Sequence, residues 1–338
     1  MPTKPYSQLR SKERKPLIDK LPLSLPFSIY LEPTNKCNFL CKSCPLSFDD
    51  YRDIIGYSGD MDFALYKKII FDIKKLGKLI SLKFYMEGEP LLNKNLIKMM
   101  QFAREQDIAE RFELTTNASL LSEEIVKQLI DVKLDYLRIS IYSVNQERHE
   151  KVTNSKIDIN KIYANVKKAR EIKDKSASQY PFIYVKMLDT FDEAENQKFK
   201  NIYAEIADEV MIEKPMNWND YENRDLLGAY YGEKKPEAER TFTNYKDVCP
   251  FPFYSCVINC DGTITICCVD WNKKTMIGDL KKNSFDEIWN GEVANEFRKM
   301  HLKREKYKNP SCKNCRFLYT SVDNLDDFSL EEFKNKYE

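Results

Sequence analysis

From residue 27 onward the chain alternates between short apolar stretches and segments whose apolar positions recur every three or four residues. FSIYLEP (27–33) reads as a strand. In DFALYKKIIFDIKKL (62–76), Phe63, Tyr66, Ile69, Ile70, Ile73 and Leu76 share one helical face, with Asp62 placed as N-cap and Gly77 as stop. The alternation continues with strand 79–85, helix 94–106, strand 111–116, helix 122–132 capped by Ser122, and strand 136–142. Helix 160–174, strand 182–188, helix 194–207 and strand 209–214 complete it. Six strands separated by helices predict an α/β fold, a parallel sheet curled as a full or partial barrel. Such a barrel delivers the C-terminal ends of its strands to one face, where active sites lie.

Outside that block the pattern changes. Residues 1–26 are basic, proline-containing and aperiodic, a tail or strap before a core at 27–215. Residues 216–248 are polar and aromatic-rich, and read as a linker or lid in which Trp218, Tyr221, Tyr230 and Tyr231 either stack on a carbohydrate or pack back onto the domain. A small C-terminal unit is expected at 249–320, with alternation over 254–269, a hairpin turn at Asp261-Gly262 and a helix at 284–300. The acidic residues 321–338 are expected to form a terminal helix or to fray.

Composition narrows the function classes. A formal net charge of +1 on 338 residues lacks the basic excess of a general nucleic-acid binder. No run of apolar residues is long enough for a membrane span, and the N-terminus lacks the apolar core of a secretory signal. Two histidines, His149 and His301, argue against a histidine-rich metal site. The ten cysteines fall in two groups with none between Cys44 and Cys249. Clustered cysteines in a chain without secretory features point to metal or redox sites in a reducing cytoplasm.

Cys37, Cys41 and Cys44 directly follow the first strand. Three thiolates so spaced in one loop can hold three irons of a 4Fe–4S cube and leave the fourth iron open; part of a zinc site is the alternative. The segment LEPTNKCNFLCKSC resembles the signature loop of the radical SAM superfamily. That resemblance spans roughly residues 27–214. It implies a partial (β/α)6 barrel whose open iron chelates S-adenosylmethionine (SAM), reductive cleavage of SAM to a 5′-deoxyadenosyl radical, and a flavodoxin or ferredoxin as electron donor. Glu87-Gly88-Glu89-Pro90 is similar to the motif that receives the SAM amino group, with Glu87 in place of its first glycine. By the same resemblance Asn117 ends the third strand in a TNG-like turn, and Ser140 on the fourth strand contacts ribose or carboxylate. Ser43 touches SAM through its backbone, and Ile183 to Met187 border the adenine. Relatives carry an arginine downstream of the Ser140 position, where this chain offers Thr153.

Seven cysteines lie between Cys249 and Cys315. Their spacing resembles the C-terminal SPASM extension in its shortened twitch form, since no cysteine follows Cys315. The resemblance implies one auxiliary 4Fe–4S cluster on Cys249, Cys267, Cys312 and Cys315; a structural zinc knot needs the same spacing. Cys268 rivals Cys267, and if the pair lies in a strand only one of them can ligate. Cys256 and Cys260 read as small buried residues, or one spare cysteine as a hydrogen-atom donor.

A second, fully ligated cluster can accept an electron, as in enzymes of the 2-deoxy-scyllo-inosamine dehydrogenase type, whose spacings these resemble. The expected reaction is oxidation of an alcohol carbon in a sugar, aminocyclitol or nucleotide sugar. Tyr142, Lys186 and Glu213, near predicted strand ends, are the candidate bases. A peptide-modifying maturase or epimerase is the competing reading. It is disfavoured by the 36 residues before Cys37 and by the shortened cysteine set.

Overall fold

The computed structural model describes residues 4–10, 15–216, 224–234, 242–243 and 245–337. Among them, nine strands form one sheet in the order β6-β5-β4-β3-β2-β1-β7-β8-β9. The first six are β1 (Ser28–Leu31), β2 (Leu79–Phe84), β3 (Ala109–Thr116), β4 (Tyr136–Ile141), β5 (Phe182–Leu188) and β6 (Glu209–Glu213). They run parallel and make the partial barrel. The chain then returns to the free edge of β1. There β7 (Ser255–Ile258) pairs parallel with it, Ser28 opposite Ser255, and β8 (Thr263–Thr265) and β9 (Met276–Asp279) add antiparallel. The cysteine-rich C-terminal unit is thus tied to the barrel by a backbone ladder, which fixes one set of thiols relative to the other.

The helical periodicity has its expected consequence. Helix α2 (Phe63–Leu76) starts where the Asp62 carboxylate accepts from the Leu65 N–H at 2.8 Å, and buries Tyr66, Ile69, Ile70 and Ile73. Ser122 caps α4 (Glu123–Asp131) in the same way. The expected helix at 284–300 is instead two, α10 (Phe285–Trp289) and α11 (Glu292–Leu302). At Gly291 a Cβ would stand 2.1 Å from the Glu287 carbonyl, so the chain changes direction at a residue without one. Among the elements that escape the periodicity are α1 (Tyr51–Ile55), α5 (Gln146–Thr153) and β9. Each is one or two turns or four residues long, too short for a pattern to register.

The N-terminal strap is a working part of the core. Tyr6 packs on Tyr136 and Tyr184 beneath the Arg138 guanidinium, and Tyr136 donates to the Lys4 carbonyl at 2.7 Å. This plugs the barrel near the starts of β4 and β5, the end opposite the predicted active face. Leu17 and Leu21 join Val248, Phe253 and Phe333 in a second apolar cluster, which docks the C-terminal helix α13 (Leu330–Tyr337). Trp218 and Tyr221 lie outside the described residues. Tyr230 and Tyr231, in α8 (Leu226–Tyr231), are buried and donate to the carbonyls of Tyr142 and Asp189. They pack onto the barrel. Among the described residues no helix is long and apolar enough to cross a membrane.

Candidate active site

The loop after β1 carries Cys37, Cys41 and Cys44 close enough for each thiol to feel the others. Its backbone is clamped to the end of α5, with the Leu40 N–H donating to Thr153 O and the Lys42 N–H to Val152 O, both at 2.9 Å. Thr153 is a latch for this loop, and its hydroxyl bonds back to the His149 carbonyl at 2.7 Å. Burial raises all three thiol pKa values, Cys37 to about 11 and Cys41 to about 12. Tyr142 donates a hydrogen bond to Cys41, and its own pKa is pushed well up by burial and by that cysteine. As a candidate base Tyr142 is therefore engaged with a cysteine and hard to deprotonate.

The loop after β2 packs on the entry to the cysteine loop. A Cβ at Gly88 would stand 2.1 Å from the Thr34 carbonyl and 2.7 Å from that of Lys36, so glycine is required by close approach. Glu89 donates its N–H to Lys36 O at 2.9 Å. Its buried carboxylate accepts from the Thr116 hydroxyl, the Asn117 N–H and the Leu91 N–H, at 2.7, 2.8 and 3.1 Å. Asn117 in turn donates to Asn38 at 2.9 Å and accepts from Ser119. Glu89 and Asn117 thus stitch the ends of β2 and β3 to the cysteine loop, and their side chains are occupied in doing so.

Glu87 points elsewhere. It accepts from the Tyr51 hydroxyl, and burial together with nearby Glu32 holds its pKa well above the ordinary carboxylate range. Ser140 pairs in register with Lys186 on β5, and Lys186 bonds Glu213 at 2.6 Å. Burial opposes ionisation of Glu213, but the charges of Lys186 and Arg138 outweigh it and hold its pKa down to about 2. A carboxylate so acidic is a weak proton acceptor. Ser43 lies half-buried in the cysteine loop.

A second group of thiols lines a pocket in the C-terminal unit: Cys249, Cys267, Cys312 and Cys315, with Phe317 and His301. Burial raises the pKa of all four. Cys268 acts on Cys249 and Cys315 from alongside. Because β8 ends at Thr265, Cys267 and Cys268 lie beyond the strand, and the strand argument for choosing between them does not apply. Lys306 donates to the Cys315 carbonyl at 3.2 Å, and the buried His301 ring lies 3.8 Å from the Cys312 sulfur. A lone histidine on a helix carries no spacing signal, so the sequence does not place His301 beside these thiols. Cys256 and Cys260 are both buried in the apolar core, and Cys260 donates its N–H to Glu32 at 3.1 Å.

The segments that carry the two groups are linked. Tyr51, seven residues beyond Cys44, bridges Glu87 and the Trp271 carbonyl, three residues beyond Cys268, the latter at 3.1 Å. Behind Trp271 the Asp270 carboxylate accepts from Thr275, Lys274 and the Ser311 hydroxyl beside Cys312.

Comparison with known families and proteins fits this geometry. The Radical SAM superfamily model matches residues 31–197, and the SPASM model, an iron–sulfur cluster-binding domain, matches residues 249–316. The chain carries a radical SAM domain followed by a SPASM domain. This radical SAM protein is 24% identical over 302 residues to the S-adenosyl-L-methionine-dependent 2-deoxy-scyllo-inosamine dehydrogenase of Niallia circulans, covering 89% of this chain and 97% of that one. It is 26% identical over 158 residues to the GTP 3′,8-cyclase of Aquifex aeolicus, spanning about half of each chain (46% and 47%). Among solved structures it is similar in fold to BtrN in complex with AdoMet and 2-DOIA, at TM-score 0.56 and 20% identity over 86% of this chain and 93% of that one. It is also similar to anSMEcpe with bound AdoMet, at TM-score 0.59 and 17% identity, covering 92% and 95%.

The radical SAM domain binds SAM and a 4Fe–4S cluster, and the SPASM domain carries an auxiliary iron–sulfur cluster. The donor chemistry fits. Thiols gathered out of water raise one another's pKa, and a cationic metal group reverses that penalty by favouring thiolates. Among the described residues no group of three or more His, Cys, Asp or Glu side chains closes to the spacing of a single-ion shell. A cubane places no such demand, because each cysteine binds a different iron.

Proposed function

We propose that this enzyme oxidises an alcohol carbon of a small hydroxylated substrate, with Cys37, Cys41 and Cys44 holding the SAM-binding cluster and Cys249, Cys267, Cys312 and Cys315 the auxiliary one. When bound, SAM and the clusters supply a hydrogen-abstracting radical on one side and an electron acceptor on the other. Converting a carbinol to a ketone removes one hydrogen atom, one proton and one electron, so a chamber between the two groups suits it. The observation that carries this reading is the Tyr51 bridge from Glu87 to the Trp271 carbonyl, which links the segment after Cys44 to the segment after Cys268 and so supports a substrate site between them.

The chain's residues divide the remaining work. Gly88 lets the loop after β2 lie against the cysteine loop, and Glu89 holds it there. Glu87, whose raised pKa comes from burial and Glu32, fits the proton acceptor better than Glu213. Lys186 and Glu213 instead form a fixed ion pair at the ends of β5 and β6. Ser140 and the fifth strand border SAM, and a flavodoxin or ferredoxin supplies the reducing electron in the cytoplasm. The test is anaerobic turnover with a panel of sugars and aminocyclitols. Stoichiometric ketone and 5′-deoxyadenosine support the reading; 5′-deoxyadenosine with a redox-neutral product contradicts it.

A further inference from the structure

We propose that Glu32 and Lys273 form a substrate-binding pair that selects a neutral or amino-bearing polyol, its hydroxyl or ammonium donating to Glu32 and its oxygen accepting from Lys273. This rests on the function proposed above. Glu32 follows the last residue of β1 and is fully buried, and Lys273 is buried in the turn after Cys268. Oε1 of Glu32 and Nζ of Lys273 are both shut off from solvent without a hydrogen-bond partner, as is Nδ2 of the adjacent Asn272. Both charges act on Glu87 and on Cys260, so they face the same space beside the Tyr51 bridge.

Neither group drifted there by loose packing. The second oxygen of Glu32 is fixed by the Cys260 N–H at 3.1 Å. The turn carrying Lys273 is tied at Asp270, which accepts from the Lys274 N–H at 3.1 Å, from the N–H and hydroxyl of Thr275 at 2.6 Å each, and from Ser311 at 2.6 Å. Lys273 itself has φ of +54°, the left-handed region that a lysine rarely adopts. A buried charge without a partner is among the costliest features a fold can keep, and such local exceptions gather where a ligand completes them.

The charge census sets the ligand class. Glu32 and Glu87 face one ammonium, Lys273, with the neutral Tyr51 hydroxyl, the Cys260 thiol and the Asn272 amide between them; Asp270 stands behind, both oxygens taken. Glu32 opposite Lys273, beside Glu87 whose pKa burial raises, leaves no surplus positive charge for a phosphate dianion, and the free Glu32 oxygen accepts from hydroxyl and ammonium donors. The amino-acid end of SAM offers the same pair of groups, so the experiment must separate the two ligands.

The experiment uses the anaerobically reconstituted enzyme with Glu32→Gln and Lys273→Met. Without ligand, both variants are expected to melt within a few degrees of the wild type, since neither Oε1 of Glu32 nor Nζ of Lys273 makes a hydrogen bond within the fold. A lower melting temperature in both variants would make the pair structural and overturn the proposal. SAM affinity by equilibrium dialysis is expected to stay within about twofold in both. A loss beyond about tenfold in both would assign the pair to SAM and overturn it as well. myo-Inositol or its monoamino analogue is expected to raise the melting temperature of the wild type and not of the variants, and myo-inositol 1-phosphate of neither. Tighter binding of the phosphate, or no response to either polyol, counts against the proposal. None of these failures touches iron content or SAM cleavage, which test the proposed function separately.

Discussion

The two groups of thiols are built by opposite means. Cys37, Cys41 and Cys44 lie within one loop, shaped by local backbone and clamped by two bonds to the end of α5. Cys249, Cys267, Cys312 and Cys315 come from three segments, brought together by β7 pairing on β1 and by the Asp270–Ser311 and Lys306–Cys315 contacts. The contiguous group is set by a short sequence and leans on a few outside contacts, those of α5 and of the loop after β2. The assembled group depends on tertiary contacts that a distant substitution can remove.

Substituting one cysteine in each group separates their roles most sharply. Cys41→Ala is expected to abolish SAM cleavage, a loss beyond about a hundredfold, while Cys312→Ala keeps cleavage and loses substrate oxidation. Assays of 5′-deoxyadenosine and ketone check both, and equal SAM cleavage by Cys41→Ala and wild type would sink the assignment.

Asp270→Ala probes the assembled group without touching a thiol. It strips partners from Thr275, Lys274 and Ser311, and is expected to cost about 3 kcal/mol by denaturant melts and to release auxiliary iron first. Uniform loss of iron from both groups would erase the contrast. Gly88→Ala is the counterpart for the contiguous group. Its Cβ meets a backbone carbonyl that cannot yield, so a cost of about 2 kcal/mol and poorer SAM binding are expected.

Glu213→Gln tests a strand-end ion pair that belongs to neither group. The folded-state pKa of Glu213 is held near 2, below its ordinary value of 4.5, so its contribution is present above pH 4.5 and is lost as pH falls toward 2. The variant is expected to be less stable by about 1–2 kcal/mol at neutral pH, discounted for its partial exposure, with the gap to wild type closing over that acid window. A gap independent of pH would contradict the ion pair. The smallest effect belongs to Asp62→Ala, which removes the α2 N-cap. It is expected to cost about 1 kcal/mol and leave SAM cleavage unchanged.

The barrel was legible because helical and strand periods repeat over long segments, as in the face of Ile69, Ile70 and Ile73. The capping residues Asp62 and Ser122 fixed helix starts to within a residue. The break at Gly291 was hidden because apolar spacing ran through it, and only the Glu287 carbonyl makes the helix stop. At the site, cysteine spacing marks candidate ligands because metal geometry imposes it. The occupied carboxylate of Glu89, the Tyr142 contact with Cys41 and the Tyr51 bridge are tertiary, and no spacing announces them. Glu32 and Lys273, separated by 241 positions, become neighbours only through the β1–β7 ladder.

The central claim is that two iron–sulfur clusters flank one chamber, and counting them tests it most directly. Elemental analysis with Mössbauer spectroscopy on anaerobically reconstituted protein is expected to give about eight irons and eight sulfides per chain, all in 4Fe–4S form. About four irons, with zinc at the C-terminal thiols, would contradict it by removing the electron acceptor on which the proposed oxidation depends.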